Sequence, residues 1–438
     1  MKIILPFLVL FIGTTSFAQH SLKCATTHAI DYQESIQPGY KNAINASFEN
    51  AKSKGSANNK SEIIYTIPVV VHVVYNTSAQ NLHDSIIQNQ IQVLNEDYNR
   101  MNADTVNMRS DFEIVKGAPQ IQFVLASIDP DGNPTNGIVR TNTATTTFGD
   151  FGLIFGDFTE LEKVKSTADG GSDPWDQSRY LNIWVCNMGI SLGGDEVPVL
   201  FGYATPPADL PNWPAGTTLG LSDGVVLQFQ TVGRNNPNVL DAGEGPIEVL
   251  GRTASHEVGH YLGLRHIWGD GDCTEQDGID DTPNADDQSN FDCDETKNTC
   301  VDNIQGIDLP DMIENFMDYS AESCQNSFTA GQIALMHGVL EDDRYDLVHN
   351  NAASIPSTSI AFGAKIYPVP AQEELHLSIE QSENVDLKIL DVNGQLMFVK
   401  THISMNELIS LSDFQSGVYF IHLSKETEHS QILKFIKL

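Results

Sequence analysis

Residues 256–266 read His-Glu-Val-Gly-His-Tyr-Leu-Gly-Leu-Arg-His. Histidines four positions apart share one face of a helix, so His256 and His260 can bind a single metal ion. Glu257 is turned about 100° from His256, which lets it touch a water on the metal without becoming a ligand. Gly263 can adopt a positive φ and end the helix, after which the chain can double back and bring His266 to the same ion. Three neutral imidazoles with one open position suit a catalytic zinc, and the open position conflicts with a purely structural clip.

A bare HExxH also occurs on ordinary helix surfaces. The longer HExxHxxGxxH fixes five positions and resembles the metzincin metalloproteases. That resemblance calls for a tight turn with a methionine beneath the metal, and Asn315-Phe316-Met317-Asp318-Tyr319 fits it. Taken alone, Met317 reads as plain core.

The chain has 438 residues, enough for two or three domains. Hydrophobic residues make up 40% and charged residues 19%, as in a globular protein. The net charge of −34 argues against a nucleic-acid partner, because phosphate would be repelled. It suits an extracellular protein or one that binds cations. Residues 1–18 read as a signal peptide, with Lys2, an apolar run from Ile3 to Ile12, and the small-x-small site Ser16-Phe17-Ala18 ahead of Gln19. That run is too short to cross a membrane and no other transmembrane segment is expected, so the protein should leave the cytoplasm for the cell surface or medium, where disulfides persist.

Of six cysteines, four follow the zinc motif: Cys273, Cys293, Cys300 and Cys324. Their long spacings, without a CxxC, favour disulfides over a second metal site, and three pairings are open. Cys186 lies in the apolar run 180–185 and reads as a buried, inert thiol.

Residues 19–60, read as a pro-segment, are polar and lack apolar periodicity, which predicts a flexible, protease-sensitive stretch in which Lys52, Lys54 and Lys60 lie among Ser, Gly, Ala and Asn. The β-branched run from Ile63 to Tyr75 predicts a strand buried on both faces, with Pro68 at its start or at a bulge. Ile87, Ile91, Leu94 and Tyr98 give one apolar face to a helix over 84–100, capped by Asp84 or Ser85. Strands follow at 121–128, 181–186 and 224–229, separated by Gly- and Pro-rich loops. A helix is predicted over 329–342, where Thr329 and Gln332 form a capping box. The catalytic domain is therefore placed at 61–350 as an α/β (α+β) fold, with a twisted mixed sheet, the zinc helix and an irregular C-terminal subdomain. Residues 351–361 read as a linker. Over 362–438, short runs around Leu375 and Leu377, around Leu387, Ile389 and Leu390, around Val418, Phe420 and Ile421, and from Ile432 to Ile436, with a hairpin signal at Asn393-Gly394, predict a small all-β sandwich.

Over residues 61–345 the chain resembles the pappalysin family, in its ulilysin-like branch, on the strength of 256–269, the Asp-Thr-Pro loop after it, and Asn315 to Ser320. The C-terminal piece resembles the type IX secretion sorting domain at residues 366–370, 392–394 and 416–419; a generic adhesive module is the plainer reading. The resemblance implies a secreted zinc endopeptidase acting on proteins and peptides, with the type IX secretion machinery as a partner. It implies disulfides Cys273–Cys300 and Cys293–Cys324 and a calcium site at Asp277, Asp280 and Thr282, a loop that composition alone would leave solvated. It gives Tyr319, otherwise a packed aromatic, a place near the metal. Glu322 stands where ulilysin-like enzymes carry an aspartate at the base of the S1′ pocket, so arginine or lysine is expected after the scissile bond. The change from Asp to Glu, or simple exposure of Glu322, puts the fine preference in question. Cys24 can ligate zinc from the pro-segment and silence a zymogen; a Cys24–Cys186 disulfide and an idle thiol stay open, with Asp31 the next candidate for latency. In the mechanism so implied, Glu257 activates a zinc-bound water as general base. The rival is a zinc-bearing binding module in which the sandwich does the work, and an intact Glu257 speaks against it.

Overall fold

The computed structural model describes residues 22–57, 64–192, 195–211, 213–214, 220–241, 245–349, 364–368, 371–379, 385–391, 396–415, 417–425 and 429–437. The expected signal peptide, Lys60, the linker and the Asn393-Gly394 turn lie outside these residues. Two compact units are present, Met1–Ala353 and Ser354–Leu438.

The first unit is built on a six-stranded sheet. Its strands are β1 (Tyr65–Tyr75), β2 (Ile121–Leu125), β3 (Ile138–Asn142), β4 (Leu181–Cys186), β5 (Gly202–Ala204) and β6 (Val225–Gln228). The order is β2-β1-β4-β6-β5, and β3 continues the β2 edge along the second half of β1. All pairs are parallel except β5 on β6. Fully buried Val69, Val70 and Val73 explain the continuous β-branched run, since both faces of β1 are covered. Pro68 is neither at the start of β1 nor at a bulge; it pairs in register with Val124. The amides of Tyr65 and Val71 point toward the β2–β3 side, so the missing N–H of Pro68 points toward β4, whose pairing begins only at Val69.

Helix α3 (Asp84–Asp97) packs Ile87, Ile91 and Leu94 into the core, and Tyr98 is its C-cap. Its N-cap is His83, whose ring nitrogen accepts from the Ser85 amide, rather than Asp84 or Ser85. Helices α4 (Arg252–Tyr261) and α5 (Ala330–Leu340) complete the core, and Thr329 and Gln332 make both bonds of the capping box on α5. Among the described residues, no helix is long and apolar enough to cross a membrane.

The expectation of a flexible segment before residue 60 is overturned. Thr26–Ile36 forms α1 and Tyr40–Ala57 forms α2. The buried face of α2 carries Tyr40, Ala43, Ser47, Phe48 and Ala51 at helical spacing, a stripe too poor in large apolar residues to register as periodic. Glycines make it pack. A Cβ on Gly338 of α5 would fall 1.9 Å from the Ala51 carbonyl oxygen, and one on Gly55 would fall 1.9 Å from that of Ala334. Close backbone approach thus replaces side-chain bulk.

The second unit has a three-stranded and a four-stranded antiparallel sheet. The first pairs Lys365–Tyr367, Glu374–Ser378 and Asn406–Ser410, and the second pairs Leu396–Lys400, Asp386–Asp391, Gly417–Lys425 and His429–Lys437. Leu375, Leu377, Leu387, Ile389, Ile421 and Phe435 form its core, alternating with outward residues as a sandwich requires.

Candidate active site

Helix α4 is short and wholly buried. Gly263, at φ +90°, ends it, with the Leu264 amide bonding back to the Gly259 carbonyl. The reversal brings His266 beside the helix. The Nε2 of His260 lies 3.1 Å from that of His256 and 3.0 Å from that of His266. Each Nδ1 is tied to an oxygen: Phe316 O at 2.7 Å for His256, Leu264 O at 2.8 Å for His260, and Asp270 Oδ1 at 2.6 Å for His266. Those bonds engage each Nδ1 and turn the three Nε2 atoms toward one point. Burial drives the pKa of His256 well below the ordinary histidine value and, with the neighbouring His266, lowers that of His260 to about 3. Three converging Nε2 atoms fit a zinc ion.

Glu257 is 0% exposed. Burial raises its carboxyl pKa to about 8, and its Oε1 has no partner. Gly202 makes room for it: a Cβ there would stand 2.7 Å from Glu257 Cγ. Met317 is buried under the helix, with its sulfur where a side chain on Gly259 would be. Tyr319 packs against His256, His266 and Trp268. Its hydroxyl donates to the Cys24 carbonyl at 3.1 Å.

That contact comes from the N-terminal segment, which lies across the site. Cys24 Sγ sits with the three histidine nitrogens in a cluster no wider than 4.8 Å and is 3.4 Å from Glu257 Oε2. The Thr26 hydroxyl donates to the same Oε2 at 3.1 Å, and that of Thr27 to Asp270 Oδ2 at 2.9 Å. The segment is held as an extended peptide along residues 199–202: Leu22 N bonds to Val199 O, Phe201 N to Leu22 O, and Ala25 N to Gly202 O. Cys24 and Cys186 are both buried and free, so they do not pair with each other. Asp31 lies on α1 in an ion pair with Lys41, away from the histidines.

Glu322 has a role the sequence did not reveal. One carboxylate oxygen accepts from the amides of Leu250 and Arg252, the other from the amide and hydroxyl of Thr253. It caps the N-terminus of α4, where the helix dipole favours an anion. It also lines a cavity of about 250 Å³ with Lys23, Phe201, Leu240, Thr253 and Phe291.

The four cysteines after the motif pair as Cys273–Cys300 and Cys293–Cys324. In the acidic loop, Asp277 is buried with one oxygen on the Ile279 amide and the other without a partner. Thr282 is buried beside it. Asp280, expected to face inward, points to solvent and pairs with Lys52 at 2.9 Å. Its neighbour Asp281 faces in instead: one oxygen accepts from the Gly331 amide and the other is unpartnered. Burial raises the Asp277 carboxyl pKa to about 7 and also pushes that of Asp281 up.

Sequence reasoning missed Lys23, Thr26, Asp270 and Phe291, and within the acidic loop it chose Asp280 over Asp281. Only Asp270 carried a signal, as a carboxylate one helical turn after His266. The others depend on how separate segments meet.

Residues 241–341 match the family described as pregnancy-associated plasma protein-A, peptidase family M43, and residues 365–438 match the secretion system C-terminal sorting domain. An extracellular metalloprotease of Pyricularia oryzae is 30% identical over 289 residues, covering 64% of this chain and 76% of that protein. One from Arthroderma benhamiae is 29% identical over 304 residues, covering 68% and 79%. Mature mirolysin of Tannerella forsythia, solved with a cleaved peptide, is 41% identical, with a TM-score of 0.54 over 66% of this chain and 97% of that one. A variant of its precursor, promirolysin, is 38% identical, with a TM-score of 0.60 over 75% and 97%.

Proposed function

Because the chain belongs to the pregnancy-associated plasma protein-A (pappalysin) family and is an exported metalloendopeptidase, we propose that it works with zinc at His256, His260 and His266, uses Glu257 as general base, and cleaves proteins ahead of arginine or lysine. The observation that carries this reading is the convergence of three Nε2 atoms at 3.0–3.1 Å beside a buried, half-satisfied glutamate. Zinc bound there supplies a Lewis acid that acidifies water and stabilises negative charge on a carbonyl oxygen. Glu257 takes a proton from the attacking water and returns it to the departing amine. The main chain of residues 199–202, which now holds Leu22 to Ala25, aligns the substrate backbone as an added strand. The Tyr319 hydroxyl moves from the Cys24 carbonyl to the developing oxyanion. Met317 supports the histidines from below. The carboxylate of Glu322 makes the adjoining cavity favourable to a basic side chain.

In the precursor, Cys24 excludes water from the metal position and Thr26 occupies the general base, so the zymogen is silent. The two unpartnered buried carboxylate oxygens of Asp277 and Asp281 support a structural calcium site formed with Thr282, in which Asp281 takes the place first given to Asp280. Residues 365–438 engage the type IX secretion machinery. Casein cleavage by the activated protein tests the reading: a chelator should abolish it and zinc restore it, and cleavage indifferent to the chelator would refute it.

A further inference from the structure

The chain's own Lys23 side chain forms part of the wall of the cavity that Glu322 lines. Lys23 is 3% exposed. Its ammonium donates to the Ser320 carbonyl at 2.6 Å and, more weakly, to that of Asp318 at 3.4 Å. The ring centres of Phe291 and Tyr319 lie 5.6 and 5.8 Å from Nζ, within reach of a cation–π attraction. No ion pair joins Lys23 to Glu322 among the described residues, and both oxygens of Glu322 are turned onto the start of α4. A second observation points to Phe291. It holds φ +55°, a conformation bulky residues rarely adopt, and its amide is fixed on the Tyr319 carbonyl at 3.0 Å. Backbone strain of this kind persists where surrounding structure enforces it, often at a ligand clamp.

We propose that Lys23 is a built-in occupant of the specificity pocket, and that the pocket reads a basic side chain through the carbonyl oxygens of Ser320 and Asp318 and the face of Phe291, with the Glu322 carboxylate acting only from a distance. Phe291 is then a specificity-determining residue. In the precursor one stretch closes three places at once: Lys23 the pocket, Cys24 the metal position and Thr26 the general base. An ammonium has three donors and no acceptor, so two inward carbonyls and an aromatic face satisfy it without a contacting carboxylate. This inference rests on the basic preference proposed above and names the groups that produce it.

Two measurements test it. In the full-length precursor, the rate of Cys24 alkylation by iodoacetamide reports how often the segment lifts; Lys23→Met and Phe291→Leu should each raise it about 2- to 30-fold, the range of one such cation contact. In the activated protein, paired peptides differing only in Lys or Met after the scissile bond give a ratio of kcat/KM. Phe291→Leu should lower that ratio by a similar factor, and Glu322→Gln should lower it less. A ratio that collapses in Glu322→Gln and is unchanged in Phe291→Leu overturns the assignment of the pocket. A wild-type protein indifferent to Lys and Met overturns the basic preference itself; the alkylation rates then decide alone, and an unchanged rate in Lys23→Met overturns the occupancy.

Discussion

Replacing Glu322 by alanine should destabilise the catalytic unit far more than loss of a pocket-lining side chain would. The carboxylate accepts four hydrogen bonds, from Leu250 N, Arg252 N, Thr253 N and Thr253 Oγ1. Arg252 and Thr253 are 5% and 2% exposed, so their amides would lose a partner with little access to water. A buried donor left unsatisfied costs about 1–3 kcal/mol. The Thr253 hydroxyl can rotate toward another acceptor, and the Leu250 amide is nearer solvent, so two amides dominate. Loss of the anion at the N-terminus of α4 adds about 0.3–2 kcal/mol. The expected total is about 3–5 kcal/mol, against about 0.5 kcal/mol or less for an ordinary surface substitution. In a unit of this size each kcal/mol lowers Tm by about 2–4 °C, so the fall should be roughly 6–20 °C. Glu322→Gln keeps one acceptor oxygen but turns an NH2 group toward the remaining donors, and should fall between. Differential scanning calorimetry of the full chain, following the transition of the catalytic unit, measures it. A shift of less than about 1 °C in Glu322→Ala would show that the capping contacts do not act as reasoned.

Cys24→Ala should speed self-processing of the precursor by about tenfold or more, the response to losing only ~1.4 kcal/mol of closed-state stability; a gel time course identical to wild type would remove Cys24 from latency. Asp281→Ala should abolish the rise in Tm that millimolar calcium produces in metal-stripped protein, and Asp280→Ala should leave it intact; the reverse pattern would restore Asp280 as the inward residue. Burial raises the Asp97 carboxyl pKa from 3.8 to about 7, against the pull of Arg252. The folded chain therefore keeps this proton between those values while the unfolded chain releases it, so the stability it contributes is present at low pH and is lost as pH rises toward 7. Asp97→Asn should remove up to about 4 kcal/mol of that decline, and urea unfolding with the same slope from pH 4.5 to 7.5 in both proteins would refute it.

Much of this was legible because the chemistry is local. His256, Glu257, His260, Gly263 and His266 lie within a short helix end and its reversal, so spacing alone brought three imidazoles and a carboxylate together. Strand β1 declared itself by a β-branched run, β4 by an apolar one, and α5 by its capping box. The remainder depended on contacts distant in sequence. Helix α2 packs through Ala51 and Gly55, which carry no hydropathic signal, so it passed for a flexible segment. Glu322 was read through its neighbourhood to Met317, and nothing in the sequence told that its carboxylate meets the amides of Arg252 and Thr253. The choice between Asp280 and Asp281 turns on which of two adjacent carboxylates a loop points inward. Lys23 looked like any lysine until the chain brought it against the carbonyl of Ser320, almost three hundred residues away.

The central claim is that zinc is held by the three histidines while Glu257 moves the proton. Zinc content and peptide turnover, measured on one activated preparation of Glu257→Gln, test it most directly. One zinc per chain, with turnover reduced by about 10²–10⁴-fold or more, is the predicted result. Turnover within tenfold of wild type, with the metal in place, would contradict it.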